Sequence, residues 1–266
     1  MAVTNLDKIR DEWARLAGAY DRQTSRGLLT PRAAVVWQRL IRELIGPDAK
    51  DVLDVGTGTG LLAVEIAKAG HRVVGSDLTP EMLEQARLRS VRERVDVTWS
   101  EGDAMNLPFE TGRFDVTVSR HVLWTMPDPA KAFSEWIRVT KPNGRVVWFD
   151  STWHNGRSPG SLLNWARQTA PARRLRSILR AQPEEYCCHY DTSLNGELPF
   201  RDLASVRPIV ELLRDLGVAD VVFKYEQGVA PWNGIMAKLR SRERYYSAWF
   251  KVTPELKERL ERKATP

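Results

Sequence analysis

Apolar residues recur at helical spacing in two N-terminal stretches: Leu6, Ile9, Trp13 and Leu16 within residues 5–17, then Val35, Val36, Leu40 and Leu44 within 31–45. That spacing predicts two amphipathic helices, the second opened by Pro31 at its first turn. Gly46-Pro47-Asp48 then punctuates a change of regime. Beyond it, short apolar runs alternate with helix-period segments. Asp51–Val55 predicts a buried strand and 61–69 a helix; Arg72–Asp77 predicts a second strand. Thr79 is placed as the N-cap of the next helix, with Pro80 at its first position. Residues 95–99 and 114–119 predict a third and a fourth strand, 130–140 a helix, Lys141-Pro142-Asn143-Gly144 a turn, and 145–149 a fifth strand. Strands separated by helices in this way predict parallel pairing through right-handed crossovers, a doubly wound α/β sheet.

The alternation stops at residue 152. Residues 152–204 hold no strand pattern, only a helix-like run over 161–180 that is rich in Arg and carries Trp165. The sheet pattern resumes with a helix at 206–216, a strand at 219–225 and a last strand at 245–252. The expected organisation is N-terminal helices forming a lid (1–47), a ligand-binding core (48–151), a mainly helical cap insertion (152–204) and the remainder of the sheet (205–266). A long insertion between sheet elements reads as a functional cap, with a structural appendage as its alternative.

Chemistry enters where the first strand meets the first helix, at Asp54-Val55-Gly56-Thr57-Gly58-Thr59-Gly60. Glycines permit tight positive-φ turns and let a ligand approach the backbone. The dinucleotide fingerprint G-x-G-x-x-G wants its third Gly at 61, where this chain has Leu61. Asp77 ends the second strand, placed to accept hydrogen bonds from ribose hydroxyls, and Asp103 follows the third. Acidic positions after three successive strands suit an adenosine-like ligand with a cationic amino-acid portion, not a pyrophosphate. Each Asp taken alone reads equally as a turn or capping residue.

Taken together, residues 52–60, Val74-Gly-Ser-Asp-Leu-Thr-Pro-Glu-Met-Leu83, Glu101-Gly-Asp-Ala-Met-Asn-Leu-Pro-Phe109, Phe114-Asp-Val-Thr-Val-Ser-Arg-His-Val-Leu123 and the 141–144 turn resemble class I S-adenosylmethionine-dependent methyltransferases. More narrowly, they resemble the small-molecule branch related to ubiquinone and menaquinone biosynthesis methyltransferases. The likeness covers about residues 48–150 and implies a Rossmann-like, seven-stranded, mostly parallel sheet whose last strand is antiparallel. It implies S-adenosyl-L-methionine as cofactor. Gly56, Thr57, Gly58 and Gly60, with Asp54 beside them, would pack against the methionine moiety. Asp77 would hold the ribose, and Leu78 and Met82 would flank the adenine. Asp103 and the backbone of Ala104 would meet the adenine amino group, and Arg120 would approach the methionine end. Tyr20 resembles a residue that closes over the cofactor in relatives, with helix packing as its alternative.

Methyl transfer from a sulfonium is an in-line displacement with an activated donor, so the protein's work is alignment and exclusion of water. A base is needed only when the acceptor loses a proton, and His121 after the fourth strand is the candidate. Asp150 and His154 are weaker ones. Trp99, Trp136 and Trp148 fall in predicted elements and read as core; Trp124, Trp153 and Trp165 read as substrate-pocket aromatics, or as a cap–core interface. Cys187-Cys188-His189 lacks the partners of a metal site, so none is expected.

The chain has 266 residues and a net charge of +6, within the range that simply keeps a domain soluble. No apolar run is long enough to span a membrane, and no signal-peptide core is seen, so a cytoplasmic protein, monomeric or homodimeric, is expected. The expected activity is methylation of O, N or C of a small aromatic or amphipathic metabolite. The alternative is an RNA methyltransferase using Arg167, Arg173, Arg174, Arg176 and Arg180 of the cap to hold a polyanion. The segment after the fourth strand carries none of the motifs of base-methylating enzymes, so nucleic acid is the disfavoured partner.

Overall fold

The helices α1 (Asn5–Thr24) and α2 (Pro31–Leu44) precede an alternating series: β1 (Asp51–Val55), α3 (Leu61–Lys68), β2 (Arg72–Asp77), α4 (Pro80–Glu93), β3 (Thr98–Glu101), β4 (Phe114–Arg120), α5 (Pro129–Val139) and β5 (Thr140–Thr152). After the insertion come α6 (Arg207–Leu216), β6 (Val222–Tyr225), β7 (Arg244–Lys251) and α7 (Pro254–Ala264). This computed structural model describes residues 5–24, 31–152, 197–200, 205–225 and 244–264.

The strands form one seven-stranded sheet in the order β3-β2-β1-β4-β5-β7-β6. β1 pairs in parallel with β2 and β4, β2 with β3, and β4 with β5, while β7 runs antiparallel to both β5 and β6. The expected Rossmann-like sheet with an antiparallel final strand is thus observed. Side chains alternate across it as the pleat requires. Along β5, Val146 and Trp148 join a cluster with Phe133, Trp136, Ile209 and Phe250 under α5 and α6. Val147 and Phe149 join Trp37, Leu40, Ile66 and Val116 under α2 and α3. Trp136 and Trp148 are core, as expected, and Trp99 is partly buried against the second cluster.

Four details differ from the sequence expectation. β3 begins at Thr98, because Val95 is only partly buried and Asp96 is exposed. The 141–144 turn does not separate helix from strand. It loops out within the 13-residue β5, where the register with β4 jumps between Phe114 and Val116. Asn143 there has φ 67° and donates its N–H to the Val252 carbonyl at 2.7 Å, so the excursion pairs with the end of β7. The Thr79 hydroxyl makes no cap hydrogen bond to α4. Helix α7 was not anticipated: it offers only Leu256 and Leu260 to the core. Its Lys257 ammonium reaches the carbonyls of Thr140 (2.6 Å) and Arg138 (3.0 Å), capping the last turn of α5 with a cation.

Most of the 152–204 insertion, with Trp153, His154, Trp165, the arginine run and Cys187-Cys188-His189, lies outside the described residues. Its described return, residues 197–200, lies against α1. Leu198 packs with Ile9 and Trp13, and Asn5 donates a hydrogen bond to the Glu197 carboxylate.

Candidate active site

The carboxyl ends of β1, β2 and β4 open onto one cleft. Its floor is the glycine loop after β1. Thr57 donates its N–H to the Ser76 carbonyl at 2.9 Å and its hydroxyl to the Asp54 carboxylate at 2.7 Å. Arg89 of α4, itself buried, donates to the Thr59 carbonyl at 2.9 Å and braces the loop from behind. Burial pushes the Asp54 carboxyl up to about 7, against the opposing Thr57 hydroxyl and Ala63 N–H. All three glycines of the loop, Gly56, Gly58 and Gly60, have left-handed φ, and the last two serve different ends. At Gly60 (φ 75°) a Cβ would stand 2.6 Å from the Trp99 ring and 2.9 Å from Ala86 Cβ; at Gly58 (φ 56°) it would meet nothing within 4 Å. Gly58 therefore leaves a cradle open on the cleft side, and Gly60 is a packing glycine.

The acidic residues stand along the next two strand ends. Asp77 accepts N–H groups from Gly58 (2.8 Å) and Thr79 (3.0 Å), which fixes its carboxylate beside the loop. Burial raises its pKa and those backbone donors oppose the rise. The Asp103 side chain accepts from Met105 N–H at 2.9 Å, and Trp136 donates to the Ala104 carbonyl at 3.2 Å, so the β3–β4 connection is held in place. Leu78 and the buried Met82 complete this wall.

The opposite wall is apolar. Leu6, Ile9, Trp13 and Tyr20 of α1 face Val122, Thr125, Met126 and Pro127. Trp13 contacts Tyr20 and Trp124 edge-on, with ring centroids 5.9 Å apart in each pair. Arg120 and His121 lie where the walls meet. The Arg120 guanidinium sits 5.9 Å from the Trp37 ring centroid, and its charge helps Asp54 to ionise. His121 has φ 56°, its Nδ1 lies 3.3 Å from an Asp150 oxygen, and its ring meets Tyr245 edge-on at 5.4 Å. Burial first, and then the Arg120 charge, lower the pKa of His121, while Asp150 opposes them.

Of the residues singled out from sequence, Tyr20, Gly56, Gly58, Asp77, Leu78, Met82, Asp103, Ala104, Arg120 and His121 line this one cleft. Asp54, Thr57 and Gly60 do not line it and support the loop instead. Trp124 stands behind Trp13 instead of facing the cleft. Sequence reasoning had missed Leu6, Ile9 and Trp13 as lining residues, although their helical stripe was its first observation. Nothing in the sequence said which surface that stripe covers.

Residues 53–148 match the family model described as "Methyltransferase domain". The ubiquinone/menaquinone biosynthesis C-methyltransferase UbiE of Bdellovibrio bacteriovorus is 30% identical over 185 residues, covering 68% of this chain and 77% of that protein. The chain belongs to the class I S-adenosylmethionine-dependent methyltransferases. A demethylmenaquinone methyltransferase of Renibacterium salmoninarum is 35% identical over 152 residues, 55% of this chain and 62% of the relative. In fold, the methyltransferase superimposes on phosphoethanolamine N-methyltransferase 2 of Haemonchus contortus, in complex with S-adenosyl-L-methionine, with a TM-score of 0.60 at 19% identity. That match covers 92% of this chain and 60% of the other. S-adenosylmethionine is therefore its cofactor, and the open cradle at Gly58 between Asp77 and the loop is compatible with it. No helix among the described residues is long and apolar enough to cross a membrane.

Proposed function

We propose that this methyltransferase methylates O, N or C of a small aromatic or amphipathic metabolite. The observation that carries the reading is the asymmetry of the cleft. One wall presents Gly58, Asp77 and Asp103, the other Leu6, Ile9, Trp13 and Met126, and the two meet at Arg120 and His121. The cofactor supplies an activated methyl group on sulfur. Gly56 and Gly58 would receive its amino-acid portion, with Asp54 and Thr57 fixing the loop beneath and Gly60 seating it on α4. Asp77, already oriented by two N–H donors, keeps lone pairs for ribose hydroxyls. Leu78 and Met82 would flank the adenine, and Asp103 with Ala104 would read its amino group. Arg120 would face the methionine carboxylate, and Tyr20 would close over the cofactor from α1.

The acceptor would lie against α1. Thr125 spends its hydroxyl on the Val122 carbonyl at 2.7 Å, so this wall offers almost purely apolar contact. Such a surface aligns a flat acceptor and sheds its water. The names of the two relatives, a C-methyltransferase of quinone biosynthesis and a demethylmenaquinone methyltransferase, concern quinones, which have that shape. His121 is the base for any acceptor that must lose a proton. Residues 1–47 would act as a lid and 152–204 as a cap, consistent with Leu198 packing on α1. Incubation with methyl-labelled S-adenosylmethionine, offering 1,4-dihydroxynaphthalene and bulk tRNA in parallel, tests the reading. Label in the small acceptor is expected, and label in tRNA alone would overturn it.

A further inference from the structure

Three neighbouring strands bring side chains together around the His121 imidazole. β4 ends at Arg120, which pairs with Phe149 of β5, so His121 falls beside Asp150; Tyr245 of β7 stands opposite Ser151. His121 donates its backbone N–H to the Phe149 carbonyl at 2.9 Å and turns into the left-handed region at φ 56°. For a residue with a Cβ that conformation costs about 1–3 kcal/mol, and it persists where surrounding contacts over-determine it. Here those contacts are the Phe149 carbonyl, the Tyr245 ring at 5.4 Å and the Asp150 carboxylate at 3.3 Å from Nδ1. Asp150 is itself held: it is 4% exposed, and the same oxygen accepts the Ser151 N–H at 2.8 Å.

A neutral imidazole carries one N–H, and an oxygen that accepts from a backbone amide is set to accept a second donor. A hydrogen bond at this contact needs the proton on the nitrogen beside Asp150, which makes Nε2 the acceptor nitrogen. Among the described residues, the charged and titratable groups around the ring include Arg120 from β4, Asp150 from β5 and Tyr245 from β7.

We infer that Asp150 is a positioning residue that fixes His121 as the Nδ1–H tautomer, so that Nε2 takes the proton of an acceptor O–H or acidic C–H during methyl transfer. This rests on the cleft being the methyl-transfer site. In the step, the acceptor's bond to hydrogen breaks and its proton passes to Nε2. The pair left behind bonds to the methyl carbon, while the carbon–sulfur bond breaks toward sulfur. The imidazolium that forms is stabilised by the Asp150 carboxylate, and no redox change occurs. The arrangement suits acceptors that expose their electron pair only by losing a proton during the transfer, such as phenols, enols or carbon acids.

The test uses the full chain, uniformly labelled and saturated with S-adenosylhomocysteine, with His121 signals assigned by their loss in H121A. Nitrogen NMR is expected to show a protonated Nδ1 and an acceptor-type Nε2 in the wild type. D150N shifts the population toward Nε2–H, and D150E restores it. A wild-type Nε2–H tautomer, or a tautomer unmoved in folded D150N, overturns the inference; should D150N not fold, the wild-type tautomer decides alone. With 1,4-dihydroxynaphthalene as acceptor, D150N lowers turnover on the order of 100-fold or more. Methylation of tryptamine at a rate untouched by H121A overturns the acceptor class. Calorimetric titration with S-adenosylhomocysteine separates the two readings: failure to bind sinks the site itself, whereas binding with the wrong tautomer sinks only the role of Asp150.

Discussion

Gly60→Ala and Gly58→Ala differ by one methyl each, yet should fail in different ways. At Gly60 the added Cβ meets the Trp99 ring at 2.6 Å, Ala86 Cβ at 2.9 Å and Ala86 Cα at 3.2 Å, with φ at 75°. Trp99 has little room to retreat, because its ring also lies 2.4 Å from where a Cβ on Gly75 would stand. Ala86 is fully buried on α4. The left-handed backbone costs about 1–2 kcal/mol and overpacking about 1–3 kcal/mol, giving roughly 2–5 kcal/mol in all. For a chain of this size that is a drop in Tm of roughly 5–15 °C. Gly58→Ala carries the backbone cost alone, about 1–2 kcal/mol, because nothing lies within 4 Å of its Cβ position. Its methyl fills the cradle, so it should raise the Kd for S-adenosylmethionine about tenfold or more, equivalent to about 1.4 kcal/mol. Circular-dichroism melts and calorimetric titration separate stability from affinity. Trp99→Leu in the Gly60→Ala background should recover part of the lost stability. A Gly60→Ala protein melting no lower than Gly58→Ala would refute the packing assignment.

Asp77→Ala removes the acceptor of two backbone N–H groups and the proposed ribose contact. Cofactor Kd should rise about 10- to 100-fold by titration, charged hydrogen bonds contributing about 1.5–3 kcal/mol each; an unchanged Kd would remove Asp77 from the site. Burial raises the Asp54 carboxyl from 3.8 to about 7, so its ionisation opposes folding. A carboxyl raised in the folded state is least costly below the unfolded value, and stability falls as pH climbs through the folded one. Asp54→Asn should therefore gain stability relative to wild type between about pH 4 and about pH 7; a difference in Tm that is flat across that range contradicts it. Trp13→Ala deletes two edge-on aromatic pairs, each contributing about 0.5–1.5 kcal/mol. Trypsin should cut α1 faster while the melt of the sheet barely moves, and unchanged cleavage would show that these pairs do not hold α1.

The sequence disclosed what local chemistry alone determines. β1, β2 and β4 were readable because they are short apolar runs between turn signals, and the cofactor wall because its residues follow those strands directly. The lost details are non-local. The 141–144 loop looked like a terminator because Pro, Asn and Gly mark turns, but its partner is Val252, more than a hundred positions away. Helix α7 is mostly charged, and its main tie is a lysine donating to two carbonyls at the end of α5 and the start of β5. The Gly60 role depends on Trp99 and Ala86 arriving from β3 and α4. His121 was legible as a histidine after a strand, whereas its contact with Asp150 needed the register of β4 on β5.

The strand order has a consequence for biosynthesis. β7, last to be made, lies between β5 and β6, and β6 pairs with β7 as its neighbour in the sheet. Until residues 244–251 leave the ribosome, β5 presents an open backbone edge flanked by Trp148 and Phe149. Exposed edges of this kind recruit other nascent chains. Deletions reaching into β7 should therefore yield aggregates, whereas additions beyond α7 leave β7 paired with β5 and β6 on its two sides.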